Sequence, residues 1–136
     1  MKVFKFGGAA INNIDGYKNV ATIIHQFTET NLLVVISAMG KTTNALEQVV
    51  HAFVNNENKK ALALFNEIKV KHIELANHLL QNSSKCIMRL TDFFTEIEWL
   101  LHDTPIKEYD YYYDQIVCIG EMLSTTIMGF YLNELN

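Results

Sequence analysis

The sequence predicts an α/β fold, predominantly helical by residue count, that holds an incomplete parallel sheet. Three observations lead there. A short strand opens the chain and stops at two glycines. An apolar run of strand length follows one helical segment later. Beyond that run the chain reads as a series of helices separated by loops, with no further strand.

The first strand covers residues 2–6, where Val and Phe interleave with Lys2 and Lys5 and Gly7-Gly8 ends the run. Asn12, Asn13 and Asp15 then offer N-caps for a helix over about residues 14–27, in which Tyr17, Val20, Ala21, Ile24 and Phe27 recur at helical spacing. From Asn31 the chain enters Leu32-Leu33-Val34-Val35-Ile36. This run is apolar without alternation, as in a parallel strand covered on both faces. Strand, helix and strand in this order form a βαβ unit, and its crossover should be right-handed.

Residues 37–44, SAMGKTTN, leave the second strand and enter a helix carrying Ala45, Leu46, Val49, Val50 and Phe53. A loop is expected over residues 55–58. A long helix follows over residues 61–80, with Leu64, Ile68, His72, Leu75 and Leu79 on its apolar stripe. Asn82, Ser83 and Ser84 break it. Another amphipathic helix spans residues 85–102 and stops at Thr104-Pro105, the single proline of the chain. From Tyr109 onward the pattern is helical, with a kink expected near Gly120. Two strands against five or so helices is a lopsided inventory, because parallel sheets commonly have several more strands. The sequence reads as cut where a further strand would begin, after residues 132–136.

The chain has 136 residues, 49% of them hydrophobic, which suits one domain with a real core. Its net charge of −4 gives no electrostatic footprint for nucleic acid or an anionic membrane. The N-terminal apolar stretch is broken by Lys5 and is not a signal peptide, and no apolar run is expected to reach the roughly 20 residues a membrane helix needs. Cys86 and Cys118 lie far apart without metal-ligand spacing and read as reduced, buried thiols of a cytosolic protein. The histidines (His25, His51, His72, His78 and His102) lack zinc-site companions and are assigned surface or core-edge roles. Tyr109, Tyr111, Tyr112 and Tyr113 sit among acids, which suits packing at a helix start or a subunit contact rather than base stacking.

Three stretches carry chemistry. At the first, a lysine stands at the end of a strand that points into Gly7-Gly8. Backbone N–H groups in a glycine turn beside a helix N-terminus can cradle an anion, with Lys5 as the matching charge. The same residues also suit a plain tight turn with Lys5 reaching solvent. At the second, Gly40-Lys41-Thr42 imitates a P-loop, but the position five residues before Gly40 is Val35, so a Walker-type site is rejected. What remains is a loop of hydroxyls (Ser37, Thr42 and Thr43) and one amide (Asn44) at the carboxyl end of a buried strand, where open α/β sheets bind ligands. Helix capping by Thr42 or Thr43 is the alternative. At the third, Gly120-Glu121 interrupts an apolar segment, and a buried acid there needs a partner. A substrate ammonium, a lysine or a helix N-terminus would each serve.

Lys5-Phe6-Gly7-Gly8, then SAMGKTTN, then Gly120-Glu121-Met122-Leu123-Ser124, in this order and spanning the whole chain, resemble the N-terminal part of the aspartate kinases, members of the amino-acid kinase family. The likeness looks closest to the single-activity bacterial enzymes, although the fused aspartokinase–homoserine dehydrogenases share the segment. It implies an amino-acid-kinase-like sheet and phosphoryl transfer from ATP, with Mg2+, to the side-chain carboxylate of L-aspartate. The product is aspartyl phosphate, on the route to lysine, threonine and methionine. Such catalysis is mostly positioning and charge stabilisation. By resemblance, Lys5 is the catalytic lysine that neutralises the transferring phosphate. Gly7 and Gly8 bring backbone to the phosphates, Ser37 stands near substrate and phosphate, and Thr43 and Glu121 hold aspartate.

Ala9 and Ala10 depart from the Thr-Ser common in the family, so the turn keeps its backbone donors without the hydroxyls. The family's later glycine-rich and aspartate-containing segments, and its regulatory ACT domains, have no counterpart in these residues. Residues 1–136 are therefore expected to be the N-terminal portion of an aspartate kinase catalytic domain, inactive alone, with no metal ligands and no cofactor of its own. The implied parent is a cytoplasmic homo-oligomer that engages aspartate and ATP, but neither nucleic acid nor membrane. Two alternatives stand beside this reading. One is another family member, such as an acetylglutamate or glutamate kinase, against which Thr42-Thr43-Asn44, the Gly120–Ser124 motif and the helical insertion before Glu121 weigh. The other is a non-catalytic helical interaction module.

Overall fold

A computed structural model describes residues 1–27 and 31–135; Asn136 lies outside them. The chain forms two strands and six helices among the described residues: β1 (Lys2–Phe6), α1 (Ile14–His25), β2 (Leu32–Ile36), α2 (Thr42–Val54), α3 (Asn58–Leu79), α4 (Ser84–His102), α5 (Tyr109–Val117) and α6 (Ile119–Leu135). The strands pair in parallel, from Lys2 with Leu32 to Phe6 with Ile36. The fold is α/β with a short parallel sheet and helical bulk, as expected. The helix expected from Tyr109 onward is two helices that meet at Cys118, two residues before the anticipated kink.

Local chemistry explains the boundaries. Asn13 is extended (φ −152°) and its Oδ1 accepts from Gly16 N–H at 2.9 Å, which caps α1. After α2, Asn56 takes a left-handed φ of 61°. The Glu57 N–H then reaches back to Ala52 O and the Asn56 N–H to Phe53 O, each at 2.9 Å. This is a Schellman stop with asparagine where glycine is usual. At the far end, Asn58 Nδ2 donates to Leu101 O and Asp103 O, both at 2.8 Å, and ties the end of α4 to the start of α3. The Glu134 carboxylate accepts from Gln81 and Asn82 N–H at 2.9 and 3.0 Å, fastening α6 to the α3–α4 turn.

The core gathers Tyr17 from α1, Leu46 and Phe53 from α2, Phe65 from α3, Phe94 from α4, Ile116 from α5 and Leu123 and Ile127 from α6, all buried. Among the described residues the sheet is covered on one face only. Phe4, Phe6, Val34 and Ile36 turn inward, whereas Val3, Lys5, Leu33 and Val35 are exposed. The expectation of a β2 covered on both faces is corrected here, since Val3, Leu33 and Val35 keep 58%, 50% and 40% of their surface. Tyr109–Leu135, where α5 and α6 run end to end, is long and apolar enough by length and composition to cross a membrane. Half of its apolar window is buried inside the fold.

Two assignments of single residues also change. Cys86 is buried, and burial pushes its thiol up to about 11, but Cys118 is exposed. His72 is neither surface nor core edge: it is fully buried on α3, as its place in the apolar stripe requires. Its Nδ1–H donates to Ile68 O at 2.7 Å, and Nε2 has no hydrogen-bond partner among the described residues. Burial, with Lys71 adding to it, pulls this histidine below its ordinary value despite the opposing bond to Ile68.

Candidate functional site

The carboxyl ends of β1 and β2 lie side by side, and backbone contacts lock the loops that follow them. Ser37 N–H donates to Phe6 O, and Gly40 N–H donates to Gly8 O, each at 3.0 Å. A Cβ on Gly8 would stand 2.6 Å from Ala38 O and 2.7 Å from Gly40 O, so no larger residue fits between the loops. Gly7 is different: nothing lies within 4 Å of its missing Cβ, and its carbonyl accepts from Ala10 N–H at 3.0 Å to close the turn. The expectation that both glycines serve a phosphate therefore meets a second role at Gly8, which is loop-to-loop packing. Gly40 holds a positive φ of 54° against Asn12.

The first turn of α6 closes on the same place. A Cβ on Gly120 would meet Ala38 Cβ at 2.9 Å and Leu46 Cδ1 at 3.3 Å, with Thr42 Cγ2 at 3.6 Å. One turn on, buried Ser124 donates from Oγ to Ser37 O at 2.6 Å, with Glu121 O a weaker second acceptor at 3.2 Å. Ser124 belongs to the third motif but is not among the residues predicted to form the site. Its signal was a lone hydroxyl on the inward face of an apolar helix, which must find an acceptor. Thr42 is also buried and bonds Met39 O at 2.6 Å, so its hydroxyl closes the loop instead of capping a helical N–H.

The predicted site residues thus sit on elements that converge, and among the described residues no hydrogen bond or ion pair joins their side chains. Ser37 is half-buried and joined to α6 through its carbonyl. Thr43 is half-buried in the first turn of α2, next to Thr42 against Gly120. Lys5 is exposed on the bare sheet face, in register with Val35. Among the described residues, Lys5, Thr43 and Glu121 make no hydrogen bond or ion pair through their side chains.

Glu121 is the clear correction. It is exposed, not buried, and borders a shallow depression with Arg89, Phe93, Met122, Thr125 and Thr126. Helical geometry accounts for this. Gly120, Leu123, Ser124, Ile127 and Met128 take the inward face, which rotates Glu121 outward. Its charge still reaches the neighbouring Cys118 thiol, which partial desolvation and then Glu121 push above its ordinary value even though the residue is exposed. No group of three or more His, Cys, Asp or Glu that could hold a metal ion occurs among the described residues.

Loops at the carboxyl end of a parallel βαβ unit, met there by the N-termini of two helices, define an α/β protein whose strand ends lie where open α/β sheets bind ligands. The chain matches the amino acid kinase family over residues 1–136, and it belongs to that family. It is 33% identical over 98% of its length to aspartokinase 1, chloroplastic, of Arabidopsis thaliana, covering 23% of that protein. It is 26% identical over 98% of its length to bifunctional aspartokinase/homoserine dehydrogenase 2 of Escherichia coli, covering 16% of it. Among solved structures, Escherichia coli aspartokinase III in complex with lysine and aspartate superposes with a TM-score of 0.77 at 23% identity, over 99% of this chain and 29% of that one. The chain spans about a quarter of the length of the plant aspartokinases it matches, 23–24%.

Proposed function

We propose that the chain forms the N-terminal portion of an aspartate kinase catalytic domain and supplies the aspartate side of its active site. The parent enzyme would transfer the terminal phosphoryl group of ATP to the side-chain carboxylate of L-aspartate, giving aspartyl phosphate for lysine, threonine and methionine synthesis. The observation that carries this reading is the joining of the two strand-end loops and the first turn of α6 through Gly8, Ser37, Gly120 and Ser124. Relatives named as aspartokinases support the aspartate branch over an acetylglutamate or glutamate kinase.

In this proposal Lys5 offsets charge on the transferring phosphate, while Gly7, Gly8 and Ser37 border it. Thr43 holds the aspartate and Glu121 receives its ammonium group. An exposed lysine at a strand end and open space at Gly7 fit a phosphate. Mg2+ would accompany ATP and neutralise phosphate charge, and its protein ligands are sought outside this chain. The parent is proposed to be a cytoplasmic homo-oligomer, a setting in keeping with two free thiols.

Calorimetric titration of the 136-residue chain with L-aspartate, and separately with Mg-ATP, tests the reading. The expected result is weak aspartate binding that Glu121→Ala abolishes, with no binding of Mg-ATP. Absence of aspartate binding overturns the folded half-site. Turnover by the isolated chain, abolished by Lys5→Ala, overturns its assignment as a partial site.

A further inference from the structure

The tyrosine cluster acquires a use from its partners. Along the seam between α2 and α5, His51 stacks on Tyr109 with ring centroids 5.2 Å apart. One turn closer to the site, Tyr113 donates from its hydroxyl to Glu47 Oε1 at 3.1 Å. Numbers rise on one helix as they fall on the other, so the helices run antiparallel here and each rung is four residues from the last. By the same four-residue count, one further turn would set Thr43 on α2 opposite Val117, the last residue of α5. Beyond it the first turn of α6 begins, and Gly120 already rests on Thr42.

Glu47–Tyr113 is the hydrogen-bonded rung of this seam. Apolar contacts tolerate a slide along the helix axis, whereas a hydrogen bond with fixed geometry does not. The bond to Glu47 also raises Tyr113 above the ordinary phenol value.

We infer that Glu47 and Tyr113 are positioning residues that set the spacing between Thr43 and the Glu121 turn, the two groups assigned to aspartate. This rests on the proposed function for its ligand but not for its geometry. The test pairs aspartate titration with amide hydrogen exchange over residues 122–126 in the 136-residue chain. Tyr113→Phe removes the donor, and Glu47→Ala removes the acceptor. Each is expected to weaken aspartate binding roughly 5-fold, the size of one hydrogen bond, and to speed exchange in α6 by a similar factor. Glu47→Gln keeps a side-chain carbonyl and is expected to restore both readouts to within about 2-fold of the wild type.

A Tyr113→Phe chain with unchanged binding and unchanged exchange overturns the inference. So does a Glu47→Gln chain as impaired as Glu47→Ala. Faster exchange in Tyr113→Phe, in a wild-type chain that binds no aspartate, supports the spacing role and overturns the ligand assignment instead.

Discussion

Ser124 on α6 donates its hydroxyl proton to the carbonyl of Ser37 at 2.6 Å, across 87 residues of sequence. The bond connects the end of β2 to the helix that carries Glu121. Ser124→Ala would leave a carbonyl without that partner in a closed environment, at a cost of about 1–3 kcal/mol. Urea unfolding should show the midpoint fall with an unchanged slope. Aspartate binding should weaken in the same variant, because the loop loses its fastening.

Two glycines should respond in opposite directions to the same added methyl group. Gly8→Ala drives a Cβ to 2.6 Å from one carbonyl oxygen and 2.7 Å from another, both on backbone that cannot swing away. A loss of about 1–3 kcal/mol is expected, as for other overpacked sites. Gly129→Ala adds a methyl group where nothing lies within 4 Å, inside α6. There alanine should stabilise by about 0.5–1 kcal/mol through helix propensity. Thermal melts of the two variants against the wild type decide both.

Acid should destabilise the chain through His72. Its folded value is lowered, so the unfolded state takes up a proton that the fold resists. This contribution is fully present above the ordinary histidine value near 6.5 and is lost as pH falls from there through the folded value. Replacing His72 with Gln should flatten the dependence of stability on pH below about 6.5, even though the variant is less stable overall. Denaturant titrations between pH 7.5 and 5 read the slope directly.

Lys5 and Glu121 should be dispensable for folding. Both are exposed, and neither makes a hydrogen bond or ion pair among the described residues. Lys5→Gln and Glu121→Gln are expected to shift stability by less than about 0.5 kcal/mol, as surface changes usually do. Glu121→Gln should nevertheless weaken aspartate binding about 10-fold or more, as expected when a charged hydrogen-bond partner is lost. A matching loss of stability in a melt would assign Glu121 to structure instead.

What the sequence disclosed depended on where a pattern was one-sided. β1 announced itself because Gly7-Gly8 punctuates it, and α1 because Asn13 precedes a stripe with a clear polar face. Residues 116–128 are apolar almost all round, so periodicity could not tell which face looks inward. Glu121 is therefore expected inside and lies outside, while the break expected near Gly120 falls two residues earlier, at Cys118. The run at residues 32–36 misled for a related reason: continuous apolarity implied two covered faces, and one is bare. His72 shows the converse, since its stripe placed it in the core while its side-chain type suggested the rim. The order of the three motifs did indicate the family, because that order survives where each motif alone is ambiguous. The locks between the loops are backbone contacts and leave almost no trace in side-chain type beyond a glycine.

The uncovered sheet face has a consequence for colloidal behaviour. Val3, Leu33 and Val35 form a greasy stripe on two paired strands, and Lys5 is the charge set among them. Such a charge acts as a gatekeeper against clumping. Replacing Lys5 with alanine would remove it and leave the stripe wholly apolar, so the variant would turn turbid at concentrations where the wild type stays clear. Lys5→Arg keeps the gatekeeper and changes only the shape of the cation. That exchange separates the lysine's duty toward solvent from its duty toward phosphate.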